Sequence, residues 1–390
     1  MSKPKLLRIT TIPLSLNVLL KGQLRFLSQH LNVIGVTSSG NEIEEIKNRE
    51  GIEVLEVDIE REIAIKKDIV SLKKLIQLFK KEKPIIVHAN TPKASLLSMI
   101  AAKYTGVPIR IYTVTGLRFE GFAPSLKRKI LVLMEQITCF FATHVIPEGN
   151  GVKQALINNK ITNKPLSLIG NGNINGVDTA YFSPQNFTIQ EIFELKDKWK
   201  IRDNDFVFCF VGRLVIDKGI TELVKAFTRI SEQFATAKLL LIGPVEKLGN
   251  TLPYSTLNVI QHNANIIPTG FIADIRPFLA ISNVFTFPSY REGFPNVVLQ
   301  AGAMELPSIV SNINGSNEII IEGKNGLIIP ARDENALFDA MKKTIENKEL
   351  LNTLKSNSRQ MITSRFEQNF VWNEMLKRYN EYLRDAKIVN

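Results

Sequence analysis

The sequence predicts an α/β protein built as two doubly wound parallel sheets in tandem, and three observations carry that expectation. Short apolar runs alternate with amphipathic segments from residue 6 to residue 147, as strands do when they are buried between helices in a parallel sheet covered on both faces. The alternation fails over a turn-rich stretch, Gly170-Asn171-Gly172-Asn173 through Asn175-Gly176 to Ser183-Pro184, and then restarts. At 390 residues the chain is also too long for one ordinary core. Two domains are therefore expected, 1–175 and 176–365. The last segment, 366–390, carries Phe370, Trp372, Met375, Leu376, Tyr379 and Leu383 at helical intervals and is expected to pack back across the first domain.

In the first half, strands are predicted at 6–11, 33–38, 54–57, 85–89, 110–114 and 144–147, with helices at 69–81, 91–104 and 125–141 among them. The 91–104 segment shows why: Thr91 is an N-cap, Pro92 fits the first helical position, and Gly106 closes the helix before the next strand. That is a βαβ unit. In the second half, strands are predicted at 206–211, 238–242, 266–269, 284–288, 308–310 and 326–329. Ligands of such folds lie beyond the carboxyl ends of the strands, so a crevice between the two sheets is the expected place for function.

Hydrophobic residues make up 44% of the chain and charged ones 22%, without low-complexity tracts, which describes a folded protein. The first residues read as a strand rather than a signal peptide. The apolar stretch 130–146 is interrupted by Glu135, Gln136, Thr138 and His144, so no spanning helix is expected. Cys139 and Cys209 stand far apart with no metal-ligand spacing, which points away from zinc and disulfides and toward a cytoplasmic home. Charge is uneven: residues 1–180 hold 25 lysines and arginines against 15 acids, and 181–390 hold 24 against 23. The basic half suggests an anionic partner, either a phosphorylated substrate or an acidic membrane surface. Equally, Lys66-Lys67, Lys73-Lys74 and Lys80-Lys81 recur at the spacing of one solvated helical face. No nucleic-acid partner is expected, because the basic runs lack interleaved aromatics and a recognition motif.

The segment F-C-F-V-G-R-L-V-I-D-K-G-I-T-E-L runs from a strand through Gly212 and Arg213 to Lys218 and a helix. A strand end, a glycine, two cations and a helix start are what a diphosphate needs, since free amides and positive charge converge there. By itself the pattern also fits surface cations beside a scaffold helix. The chain has neither G-x-x-x-x-G-K-[ST] nor G-x-G-x-x-G after its first strand, which argues against ATP hydrolysis and nicotinamide binding.

About 80 residues on, the stretch S-Y-R-E-G-F-P-N-V-V-L-Q follows another strand. The combination of G-R-x(4)-K-G, a strand ending F-P-S, and E-G-F-P-N with a polar residue eight positions after the glutamate resembles the retaining glycosyltransferases of the GT-B fold, family four. The segments L-L-L-I-G-P and I-P-T-G-F-I-A-D-I-R-P-F-L-A-I-S-N-V-F sit where that family places its base-binding strands and loops, and N-I-N-G-V-D-T-A-Y-F-S-P is similar to its interdomain segment. Within the family the chain looks most like bacterial enzymes of capsular and surface polysaccharide synthesis.

The resemblance implies that Arg213 and Lys218 hold the donor's pyrophosphate and neutralise the departing nucleotide. The resemblance further implies catalysis without a metal or other cofactor. Glu292 is expected to contact the donor sugar, with backbone amides from Gly293, Phe294, Asn296 and Val297 around Pro295 facing sugar and phosphate oxygens. The family's second carboxylate, the ribose ligand, is here Gln300, which still accepts from one hydroxyl and donates to another.

The first domain departs further from the pattern. Relatives often carry a glycine-rich loop after the first strand, whereas T-I-P-L-S-L-N-V-L-L-K-G-Q-L offers only Gly22. Residues 13–20 either present an apolar surface to a lipid-linked acceptor or form a helix burying Leu16, Leu19, Leu20 and Leu24. His88, ending I-I-V-H-A-N, either points into the crevice or is a structural strand residue. Where many relatives have a histidine before a glycine, this chain has Thr115 before Gly116, and no general base is assigned there. Arg118 opens the basic, aromatic loop G-L-R-F-E-G-F-A-P-S-L-K-R-K, which either meets a lipid pyrophosphate or anionic bilayer or is an ordinary exposed loop.

The expectation is a cytoplasmic glycosyltransferase, peripheral at the inner face of the membrane, moving a sugar from a UDP-sugar to a lipid-linked glycan. Two alternatives stay open at this point: a UDP-sugar 2-epimerase of the same architecture, and a catalytically silent nucleotide-sugar or membrane-binding protein.

Overall fold

A computed structural model of the chain describes residues 3–60, 64–246 and 250–388. Of the segment expected to return to the first domain, residues 389–390 lie outside the described residues. The chain forms two compact units, Met1–Gly176 with Gln368–Asn390, and Val177–Glu367.

The first unit holds a six-stranded sheet of β1 (Lys5–Ile9), β2 (Asn32–Thr37), β3 (Glu53–Glu56), β4 (Ile86–Ala89), β5 (Ile109–Val114) and β6 (His144–Pro147) in the order β3-β2-β1-β4-β5-β6. All pairs are parallel, with Leu7 set between Ile34 and Val87. Parallel strands need crossover helices, which cover both faces and leave no room for polar alternation; β4 is accordingly buried along its whole length. Three crossover helices matter below: α1 (Ile65–Glu82), α2 (Pro92–Tyr104) and α3 (Leu126–Phe141). On the 13–24 stretch, Leu16, Leu20 and Leu24 are buried in the core, while Leu14 and Val18 are exposed.

The second unit repeats the plan with β7 (Phe206–Val211), β8 (Ala237–Ile242), β9 (Ile266–Gly270), β10 (Val284–Phe287), β11 (Ser308–Ser311) and β12 (Gly326–Ile329), in the order β12-β11-β10-β7-β8-β9. Its site-bearing helices are α4 (Ile220–Gln233) and α5 (Asn296–Ala303). Strand β10 pairs directly with β7, Val284 against Phe208 and Phe285 against Cys209. Whatever follows β7 is thereby a neighbour of whatever follows β10.

The last helix, α6 (Gln368–Asp385), belongs to the first unit. Its Val371, Met375, Tyr379, Tyr382 and Leu383 enter the same core cluster as Leu6, Leu16, Leu20 and Leu24. Trp372 donates from its indole nitrogen to Asn175 Oδ1 at 2.8 Å. Tyr379 reaches Arg8, a fully buried cation in the middle of β1, whose guanidinium donates to Tyr379 Oη and Gln23 Oε1 at 3.3 Å each. Without the returning helix that guanidinium would lose one of two acceptors in a site closed to water.

Both cysteines are buried free thiols, and burial pushes each up to about 12. Among the described residues, no helix is long and apolar enough to cross a membrane.

Candidate active site

The loop after β7 and the loop after β10 meet at the carboxyl edge of the second sheet. After Val211 the chain passes Gly212 and Arg213, makes a short 3-10 turn at Ile216–Lys218, and enters α4 through Gly219. Gly219 has φ +71°, and a Cβ there would lie 2.1 Å from the Pro288 carbonyl oxygen. Only glycine fits, so the start of α4 can sit directly against the end of β10.

That approach delivers Lys218 to Glu292. The ammonium donates to Glu292 Oε1, the Ser289 hydroxyl donates to the same oxygen at 2.7 Å, and Lys218 lies 5.3 Å from the Phe287 ring centroid. Side-chain exposures of 20% and 17% leave the pair desolvated yet open to a ligand. Two further links clamp the loops: the Tyr290 amide donates to the Asp217 carbonyl at 2.9 Å, and Arg291 pairs with Asp217 at 3.1 Å. The Tyr290 hydroxyl donates to Glu222 Oε1 at 2.7 Å, and burial together with that carboxylate holds the phenol well above its ordinary range. The roles of Ser289, Tyr290, Asp217 and Glu222 are visible only in the folded chain. The one available signal was a serine and a tyrosine directly after a strand that ends beside a glutamate.

Arg213 stands apart from this pair. Its side chain is 63% exposed and bonds Glu246 at 3.1 Å. Gly212 is also not a free amide, because its N–H donates to the Ile242 carbonyl at 2.9 Å as a continuation of the sheet. Expecting that amide on a phosphate is therefore corrected.

Beyond Glu292 the chain turns through Gly293, Phe294 and Pro295 into α5. Phe294 is buried and packs against Phe366 at 5.5 Å between ring centroids, so this side chain anchors the loop. Pro295 caps the helix. Helix α5 begins at Asn296, and the amides of any helix's first turn lack an acceptor within the helix itself. Val298 and Leu299 point into the core, whereas Asn296, Val297 and Gln300 remain accessible on one face. The Gln300 carboxamide makes no hydrogen bond among the described residues.

In the first unit, the reading of His88 as a cleft-facing residue is corrected. The ring is fully buried, with Nδ1 2.6 Å from Tyr379 Oη and Nε2 2.6 Å from Thr113 Oγ1. Because Tyr379 Oη already accepts from Arg8, it gives its proton to Nδ1, and Nε2–H donates to Thr113. Burial, and then the charge of Arg8, hold the imidazole neutral, well below its usual range. Both nitrogens are occupied, so His88 is structural. Thr115 donates to the Asn90 carbonyl at 3.3 Å. Arg118 opens a 3-10 turn at Arg118–Gly121 and lines a small cavity with Lys93, Met134 and Glu135. Glu135 is buried, accepts from Tyr112 Oη at 2.7 Å, and is pushed up by burial to about 7. Among the described residues, no group of three or more histidine, cysteine or acidic side chains is placed to hold a metal.

Two family profiles match the chain: Glycosyl transferases group 1 over residues 191–361 and Glycosyl transferase 4-like over residues 14–148. The capsular polysaccharide biosynthesis glycosyltransferase CapM of Staphylococcus aureus is 34% identical over 390 residues, covering 99% of this chain and 100% of that one. The UDP-Gal:alpha-D-GlcNAc-diphosphoundecaprenol alpha-1,3-galactosyltransferase of Escherichia coli is 33% identical over 314 residues, 78% of each chain. Among solved structures, a glycosyltransferase from Rickettsia africae superposes with a TM-score of 0.81 at 21% identity, covering 98% of this chain and 99% of that one. The fold is GT-B, and the chain belongs to the group 1 glycosyl transferases.

Proposed function

We propose that this glycosyltransferase moves a sugar from a UDP-sugar to a hydroxyl of a lipid-linked glycan during capsular or other surface polysaccharide assembly, with retention at the anomeric carbon and without a metal ion. The second unit holds the donor and the first receives the acceptor. The protein works in the cytoplasm, peripherally at the inner face of the membrane. The observation that carries the reading is the meeting of Lys218 with Glu292 beside the N-terminal amides of α5.

In the proposed step the bond between the anomeric carbon and the β-phosphate oxygen breaks while the acceptor oxygen bonds to the same face of that carbon. The acceptor proton passes to the departing phosphate. Lys218, Arg213 and the α5 amides offset the charge that develops on that phosphate, which is the role a divalent cation plays in other sugar transferases. Glu292 accepts from sugar hydroxyls, and Gln300 bridges the ribose diol. The names of the two relatives, one a capsular enzyme and one that uses UDP-galactose on a diphosphoundecaprenol-linked sugar, support the choice of pathway, donor nucleotide and acceptor class. Both are transferases by name, which favours transfer over epimerisation of the free donor.

Purified protein incubated with a panel of UDP- and GDP-sugars, an undecaprenyl-diphosphate-linked sugar and EDTA tests this. The expected result is a glycosylated lipid from a UDP-sugar, with the donor's anomeric configuration kept by NMR and the rate unchanged by EDTA. An epimerised nucleotide sugar without lipid product, an inverted linkage, or activity lost with EDTA would each overturn the corresponding part.

A further inference from the structure

Among the described residues, the outer face of α3 is left exposed. Leu126, Ile130, Leu133 and Phe140 are 74%, 43%, 54% and 75% exposed, and with Ile137 they recur every three or four residues along a single face. The opposite face, Leu131, Glu135, Thr138 and Cys139, is buried. The result is an apolar stripe about 21 Å long on a helix whose inner side is fixed to the domain.

Its surroundings are basic. Lys127 and Lys129 are exposed at the first turn, and an open groove bordered by Ile137, Phe140, Lys160 and Lys164 continues the stripe at the last. The Lys164 ammonium donates to the carbonyls of Cys139 and Phe140 at 2.6 and 2.9 Å, which places that charge at the α3 terminus. The one acid of α3, Glu135, is turned inward and bonded to Tyr112. The exposed face of α3 therefore carries apolar groups and positive charge, with no negative charge.

We propose that α3 is the surface by which the protein lies on an anionic bilayer, with Leu126, Ile130, Leu133 and Phe140 in the acyl boundary and Lys127, Lys129 and Lys160 at the headgroups. An apolar face rimmed by lysines is the pattern of helices that lie in the membrane interface. Lysine is depleted from protein–protein interfaces, which disfavours a protein partner for the same face. Helix α3 follows β5, so its first turn starts at the carboxyl edge of the sheet, where Thr115 and Arg118 lie. An acceptor carried by a lipid would thus leave the bilayer next to the side of the domain on which it is needed. The inference rests on the proposed lipid-linked acceptor only for that last point.

The test is co-sedimentation of full-length protein with phosphatidylcholine vesicles, with and without phosphatidylglycerol, for the wild type and for Leu133→Asp combined with Phe140→Asp. Both positions are exposed, so the thermal midpoint and UDP binding should be unchanged. Wild type is expected to bind the anionic vesicles, to release in high salt, and to lose about tenfold or more of its partitioning in the double variant. Equal partitioning of the two proteins, or no wild-type binding to anionic vesicles, would overturn the proposal. So would a wild-type dimer that the substitutions dissociate while vesicle binding persists, since the stripe would then cover a second copy. Vesicle binding that follows the expected pattern in a protein that glycosylates no lipid would count against the proposed acceptor and leave the docking surface standing.

Discussion

Lys218 and Glu292, 74 residues apart in sequence, share a hydrogen bond because β7 and β10 are neighbours in the second sheet and Gly219 lets their following loops touch. The pair joins the cation that would meet a leaving phosphate to the carboxylate that would meet the sugar.

Lys218→Ala is expected to lower kcat by about 10²–10³, the usual loss when one preorganised charge-stabilising donor is removed. The far-UV circular dichroism should be unchanged, because the partly exposed ammonium contributes little packing. A folded variant with wild-type turnover would end the leaving-group assignment.

Gln300→Glu is expected to keep or raise donor affinity, since a carboxylate accepts from both ribose hydroxyls more strongly than a carboxamide does. Calorimetric titration with UDP checks this. A large loss of affinity would show that Gln300 does not read the ribose.

Glu135 should make stability depend on pH. Burial raises this carboxyl to about 7 in the folded protein, above its value in the unfolded chain. Below the unfolded pKa both states hold the proton and there is no penalty. As pH rises toward 7 the unfolded state ionises first, and stability falls. Glu135→Gln keeps an acceptor for Tyr112 and removes the ionisation, so it should gain about 3 kcal/mol over wild type at pH 8 and little at pH 4. Urea unfolding at the two pH values measures the difference, and an equal effect at both would contradict the account.

Tyr379→Phe removes the group that links Arg8 to His88 and should destabilise by about 1–3 kcal/mol, because buried polar groups are left unpaired. His88→Gln in turn should leave the pH–rate profile of transfer unchanged. A lost ionisation limb would return His88 to the catalytic machinery.

The strands were legible because each is a short apolar run bounded by turn residues. The Gly212–Lys218 and Glu292–Gln300 segments were legible because their spacing is fixed by local loop geometry. What could not be read depends on contacts distant in sequence. His88 looks available at a strand end until Tyr379, 291 residues later, arrives on the last helix. The Gly212 amide looks free until β8 supplies Ile242 as its acceptor. Ser289 and Tyr290 act through oxygens on Glu292 and Glu222 and through the Asp217 carbonyl, relationships that no periodicity encodes. The exposed apolar stripe of α3 is not legible in the sequence, because a 3.6-residue period does not say which of two apolar faces is covered.

A crystal structure of the protein with bound UDP tests the central claim most directly. The Lys218 ammonium and the Arg213 guanidinium are expected within about 3 Å of the diphosphate oxygens, with the α5 amides on the same phosphate and Gln300 on the ribose. A diphosphate bound elsewhere, with Lys218 still turned to Glu292 alone and Arg213 still on Glu246, would contradict the account.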